Sequence, residues 1–171
     1  MTVKAFTKML RQGIDYEEKH TSTVRWNSIK ILIAIAIKMD FDIVLIDIKT
    51  FLLYGRLTPG NEMYMEILKV WEDSDEEPTG DHVWKLFRTL YGMPQAPHKA
   101  QKVLREAMQT GGDFRPSTAD DCVYVTKDPR SGYCVSGTHV DDTTAIGDPA
   151  GIKKMITTLE KKFELKDFQS P

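Results

Sequence analysis

The sequence predicts an α+β fold in which helices pack on an antiparallel sheet. Two observations lead there. Three segments carry helix caps and an apolar face, and a group of short β-branched stretches follow one another through turn-rich links too short for crossovers. The length of 171 residues supports one domain with a real core.

The elements are justified in chain order. "WNSIKILIAIAIKMD" opens with Asn27 and Ser28, both good N-caps, and Ile29, Leu32, Ile33, Ala36 and Ile37 share one helical face. "FDIVLID", Phe41 to Asp47, is short, β-branched and apolar on both faces, which suits a buried central strand. "PHKAQKVLREAMQ" predicts a helix with Pro97 in its first turn and Gly111-Gly112 ending it. "CVYVT" and "YCVSGTHV" are strands joined by "KDPRSG", and "DDTTAIG" begins in a tight turn and returns as a third strand. In "DPAGIKKMITTLEKKF", Asp148 caps, Pro149 takes the first helical position, and Ile152, Met155, Ile156, Leu159 and Phe163 line one face. The order is α-β-(loop)-α-β-β-β-α.

Composition narrows the function classes. With 41% hydrophobic and 28% charged residues the chain has the make-up of a soluble globular protein. "MTVKAFTKMLRQ" lacks the apolar stretch of a secretory signal, and Ile31 to Ile37 is too short to span a membrane, so an intracellular, cytoplasmic protein is expected. Cys122 and Cys134 are the only cysteines, and no disulfide framework is implied. A net charge of −2 shows no basic surplus for phosphate backbones, although a segregated basic groove stays open. "WEDSDEEPTGD", Trp71 to Asp81, reads as a solvated acidic loop.

The residues with chemistry are carboxylates. Asp47 closes an apolar strand, where an unpaired charge is costly. Asp141 and Asp142 form a pair at a hairpin tip in "GTHVDDTT". If the first strand lies beside that hairpin, three carboxylates converge at one sheet edge and raise one another's pKa unless cations sit among them. Mg²⁺ is the natural guest, and two such ions roughly 3.5–4 Å apart can stabilise both oxygens of an in-line phosphoryl displacement. From spacing alone, a plain polar turn is the favoured reading of the pair.

Several blocks then resemble, in order, the reverse transcriptases of copia-type LTR retrotransposons: "RQGIDYEEKHTSTVRWNSIKILIAIA", "LIDIKTFLLYGRL", "MYMEI", "VWKLFRTLYGMPQAP", "DDCVYV" and "HVDDTTAIGD". The similarity runs from about residue 4 to 168. It implies a polymerase palm, a ferredoxin-like antiparallel sheet with helices packed on one face, over residues 41–171, with partial fingers over about 1–40 of a single domain spanning 1–171. It implies RNA-directed DNA polymerase activity, in which Asp47, Asp141 and Asp142 hold two Mg²⁺ (or Mn²⁺) ions while a primer 3′-hydroxyl attacks a dNTP. Gln95 matches the family position near the incoming nucleotide and template, and Arg25 matches a family arginine. Implied partners are an RNA or DNA template-primer, dNTPs and the integrase and RNase H parts of a polyprotein, inside a virus-like particle in an intact element.

The chain departs from the pattern in places. His139 stands where the family usually keeps tyrosine before Val-Asp-Asp, which bears on nucleotide or primer-end contacts. A zinc site joining His139 to Cys122 or Cys134 has no supporting spacing. The aromatic gate against a ribose 2′-hydroxyl falls on Leu52, with Phe51 one residue early; on a strand that shift turns the ring to the other face. The aromatic pair expected after Gln95 is missing from "HKAQKVL". Basic finger strands ahead of residue 4 are reduced to Lys4, Lys8 and Arg11, and no thumb or RNase H follows "LKDFQSP", so weak or absent activity is expected. A catalytically dead remnant or a domesticated nucleic-acid or protein interaction module is the alternative. "TGGDFRP" resembles the GGDEF hairpin of diguanylate cyclases, but its glycines end a helix and its third acidic residue is absent.

Overall fold

Successive side chains along the late strands are buried, so both faces of the sheet are covered, and the architecture follows from that. The computed structural model describes residues 21–60, 62–66, 83–111, 113–126 and 128–166. Lys4, Lys8, Arg11 and the acidic stretch Trp71–Asp81 lie outside the described residues.

The elements are α1 (Trp26–Met39), β1 (Asp42–Asp47), a 3₁₀ turn (Phe51–Tyr54), β2 (Met63–Glu66), β3 (Val83–Leu86), α2 (Ala96–Glu106), β4 (Phe114–Pro116), β5 (Val123–Thr126), β6 (Cys134–His139), β7 (Asp142–Gly147) and α3 (Pro149–Glu160). A five-stranded sheet runs β1-β7-β6-β5-β4, with every neighbouring pair antiparallel. A separate hairpin pairs β2 with β3. The α+β class and the three helices are as the sequence predicts; β2, β3 and β4 add to the expected order.

Three points go beyond or against expectation. First, the helices cover both faces of the sheet: α2 and α3, within residues 41–171, share one face, as the resemblance implies for that stretch, and α1 covers the other. α1 buries Leu32 and Ala36 with Val24 against Val123, Val135 and Ile146. On the opposite face, α2 and α3 bury Ala100, Val103, Leu104, Ile152, Met155 and Leu159 with Ile46, Tyr124, Cys134 and Ala145. Because successive residues of β5, β6 and β7 are buried, each face needs a helical cover. Second, β1 is an edge strand, and Leu45 on it is 51% exposed. A strand apolar on both faces reads alike at the centre and at an edge that helices flank. Third, α1 is not capped by Asn27 or Ser28, and of its predicted face Ile37 is 77% exposed.

The cap comes from elsewhere in the chain. Asp120, only 7% exposed, accepts from the Arg25 backbone N–H (3.0 Å) and the Ser28 hydroxyl (2.6 Å) through one oxygen. Its other oxygen accepts from the Cys122 N–H (3.1 Å). One carboxylate therefore ties the start of α1 to the turn that leads into β5. α2 begins with Pro97 in its first turn, as expected, and ends in a wider π-type turn over Ala107–Gly111. α3 has the predicted cap: Asp148 Oδ1 accepts from Gly151 N–H (2.7 Å), while Oδ2 accepts from Tyr133 N–H (2.6 Å). Both cysteines are free and buried, and burial pushes the Cys134 thiol up to about 12.

Burial alone would push the Asp120 carboxyl up, but the Ser28 hydroxyl and the Arg25 and Cys122 N–H groups outweigh it and hold the pKa below the usual carboxylate range. The stabilisation from this group is complete above about pH 4 and is lost as pH falls through the lowered folded-state value. Asp120→Ala orphans two backbone donors and is expected to cost about 2–3 kcal/mol. Urea unfolding should show that loss at pH 7 and a smaller one at pH 3; an equal loss at both would overturn this assignment.

Candidate metal centre at the β1–β7 edge

The sheet register brings together what the sequence leaves apart. β1 and β7 pair from Asp42↔Gly147 to Asp47↔Asp142, and β6 and β7 end on His139↔Asp142. Asp47, Asp142 and His139 thus lie in one row at the same sheet end, with Asp141 in the two-residue turn between β6 and β7. The Asp141 carbonyl accepts from Ile48 N–H (3.0 Å), which stitches that turn to the end of β1.

The turn is strained. Val140 has φ 58°, and Asp141 does not share a positive φ, a pattern that fits a type II′ turn with valine where glycine is the usual choice. Thr50, which leads from β1 into the 3₁₀ turn, has φ 50°. Among the described residues these are the two β-branched residues with positive φ, and both flank the aspartates. Left-handed backbone costs an L-residue roughly 1–2 kcal/mol, and such strain gathers at functional sites.

The electrostatics point the same way. Burial, then Asp141, then Asp47 push the Asp142 carboxyl above its ordinary value, with His139 and Lys166 pulling weakly against them. Asp47 has one buried carboxylate oxygen, Oδ1, without a hydrogen-bond partner. Its other oxygen, Oδ2, accepts from Lys166 Nζ at 2.6 Å. The set consists of hard oxygen donors of the kind Mg²⁺ takes. As the side chains stand, no group of three His, Cys, Asp or Glu among the described residues encloses an ion position. The donor set therefore fits a divalent cation in kind, with a lysine ammonium on one of its oxygens.

The remaining predicted site residues are placed as follows. His139 is exposed at the end of β6. Arg25 is exposed at the start of α1, where its backbone N–H serves the Asp120 clamp. Gln95, 2% exposed, donates from Nε2 to Met63 Sδ (3.0 Å), and its Oε1 is buried without a partner. These contacts join it to β2, not to the aspartates. Phe51 requires a correction. Residues 51–54 form a 3₁₀ turn and not a strand, so a one-residue shift does not flip faces. Phe51 is 2% exposed in the core and packs against Phe163 at 6.3 Å between ring centroids, which leaves it no face for a nucleotide. Leu52 is half-buried on the same turn, and its carbonyl accepts from the Thr89 hydroxyl.

Sequence reasoning missed Lys166. It lies in "FELKD", beyond α3, with no periodicity or motif to mark it. Gly55 is a further positional requirement: a Cβ there would meet Thr89 Oγ1 at 2.3 Å and Lys99 Cβ at 2.9 Å, so only glycine lets the loop after β1 lie against α2.

The family described as "Reverse transcriptase (RNA-dependent DNA polymerase)" matches residues 1–170. The chain is 29% identical over 168 residues to the "Retrovirus-related Pol polyprotein from transposon TNT 1-94" of Nicotiana tabacum, covering 98% of this chain and 12% of that protein. It is 29% identical over 160 residues to the corresponding polyprotein of transposon RE1 of Arabidopsis thaliana, covering 93% of this chain and 10% of that protein. The chain thus spans about a tenth of the length of these relatives. No solved structure matches it.

Like charges directly opposite across an antiparallel pair destabilise it by roughly 0.2–1 kcal/mol. Asp142→Asn is therefore expected to stabilise the fold by that amount at pH 7 and low salt, with the gain shrinking in 1 M salt as the repulsion is screened. Urea midpoints at the two salt concentrations check this, and a loss of stability in both would show that the carboxylates are not in conflict.

Proposed function

The chain belongs to the reverse transcriptase (RNA-dependent DNA polymerase) family, in its copia-type retrotransposon branch, and from that premise we propose that Asp47, Asp141 and Asp142 form its nucleotidyl-transfer centre. The observation that carries this reading is the register itself, which sets Asp47 opposite Asp142 and places Asp141 in the adjoining turn. The chemistry supplied there by two bound Mg²⁺ or Mn²⁺ ions is stabilisation of the attacking and leaving oxygens in an in-line displacement.

The chain's own groups set the stage for that step. Asp47 has a buried oxygen with no protein donor, an unmet acceptor that a cation would satisfy. Asp141 and Asp142 add two carboxylates from one strained turn, and their mutual repulsion is relieved when positive charge arrives. The proposed substrates are a dNTP and the 3′-hydroxyl of a primer on an RNA or DNA template. Palm and partial fingers remain the proposed subdomain assignment for residues 41–171 and 1–40. In a longer Pol polyprotein, such as the relatives' names describe, other parts of the same chain would be its partners. No helix among the described residues is long and apolar enough to cross a membrane.

The test is dNTP incorporation on a primed RNA template with Mg²⁺ or Mn²⁺. Extension by the chain alone is expected to be short and weak. Asp47→Asn and Asp141→Asn should each lower it by about 100-fold or more, since several kcal/mol of transition-state stabilisation depend on the bound charge. Extension that survives both substitutions would remove the aspartates from the reaction.

A further inference from the structure

The Lys166–Asp47 contact is built rather than incidental. Phe163 follows α3 and is buried between Phe51 and the Tyr54 ring, whose centroid lies 4.8 Å away in an edge-on arrangement. From that anchor the next three residues lie along the end of β1. Glu164 N–H donates to Tyr54 Oη (2.9 Å), and the Glu164 carbonyl accepts from Lys49 N–H (2.9 Å). Leu165 bridges Ile48 in antiparallel fashion, and Lys166 N–H donates to the Asp47 carbonyl (2.9 Å). Lys49 and Glu164 also pair through their side chains at 2.7 Å. The backbone at Lys166 is thereby fixed beside Asp47, and its ammonium has one short step to Oδ2, at 2.6 Å.

Such placement has a consequence for any cation at the cluster. An ammonium group on Oδ2 neutralises part of the charge that three crowded carboxylates create, and it occupies an oxygen that a divalent ion would use. The Lys166 stem is half-exposed, so the head can leave without unpacking the core. We propose that Lys166 is the resident counter-cation of the aspartate cluster, and that a divalent ion binds Asp47 in exchange for it. This inference rests on the reading of Asp47, Asp141 and Asp142 as metal ligands. Lys166 acts here as a positioning residue: it holds the carboxylate ready and sets the threshold for metal binding.

The probe is Mn²⁺ alone, titrated into the whole chain and followed by electron paramagnetic resonance of the free ion. Lys166→Met is expected to bind Mn²⁺ about 5-fold more tightly than the parent chain, the ratio corresponding to one partly screened ion pair. Lys166→Arg keeps the charge and should stay close to the parent. Thermal unfolding gives a second readout. Without divalent ion, Lys166→Met should melt below the parent chain, and saturating Mn²⁺ should close that gap. Mn²⁺ affinity in Lys166→Met equal to or weaker than in the parent, with parent binding abolished by Asp47→Asn, overturns the exchange and leaves the metal site standing. Absence of Mn²⁺ binding in every variant overturns both together.

Discussion

The pairing of β1 with β7 is the constraint on which the rest of the site depends. A slip of one residue would send Ile46 and Ala145 to the face of α1 and part Asp47 from Asp142. Several features forbid that slip. Ile46 is 1% exposed while its neighbour Leu45 is 51% exposed, so a slip in either direction would trade a buried apolar side chain for an exposed one. The two-residue turn fixes β7 against β6, and Ile48 N–H to the Asp141 carbonyl pins the far end. At the near end Gly147 lies so close to the Tyr133 carbonyl that a Cβ would stand 2.0 Å from it, and no other residue fits there. The same approach lets Asp148 N–H reach that carbonyl (3.0 Å), coupling the start of α3 to the register.

What the register gathers is unfavourable to stability. Like charges face one another across the strands, a carboxylate oxygen is buried without a donor, and two β-branched residues sit in left-handed backbone. The fold offsets these costs at a distance. Asp120 clamps α1 to the sheet, Asp148 clamps α3, and Thr126 bonds both backbone groups of Cys134 through its hydroxyl at 2.9 Å. Conflict gathered at one sheet end, with such clamps holding the helices elsewhere, is the distribution expected of a site kept for chemistry.

The sequence showed β1, β5, β6 and β7, the cap of α3 and the aspartates because those signals are local. A β-branched run, an Asp-Pro start and an adjacent carboxylate pair each lie within a few residues. Features that depend on long-range pairing stayed hidden. Asp120 caps a helix that begins 95 residues earlier, so the helix start looked as though Asn27 or Ser28 should supply the cap. The edge position of β1 and the cover on both sheet faces are set by which strands pair, and apolar alternation says nothing of that. The surroundings of Phe51 differ from expectation for a local reason instead: a 3₁₀ turn, not a strand, carries it.

That last departure ties composition to the electrostatics of the cluster. In this chain the ring falls at residue 51, one position ahead of where the resemblance implies an aromatic gate, and turns into the core. There it forms one wall of the pocket that receives Phe163. Phe163 in turn fixes where the chain leaves α3, and the bridge from Leu165 to Ile48 carries that placement on to Lys166. Removing the Phe51 ring would loosen the anchor before it touched any carboxylate, and the ammonium on Asp47 would lose its fixed backbone. The buried aromatic is thus coupled to the aspartate cluster through packing. A change that reads in sequence as a damaged gate has its physical effect 119 residues away from Asp47, at the lysine that shares its charge.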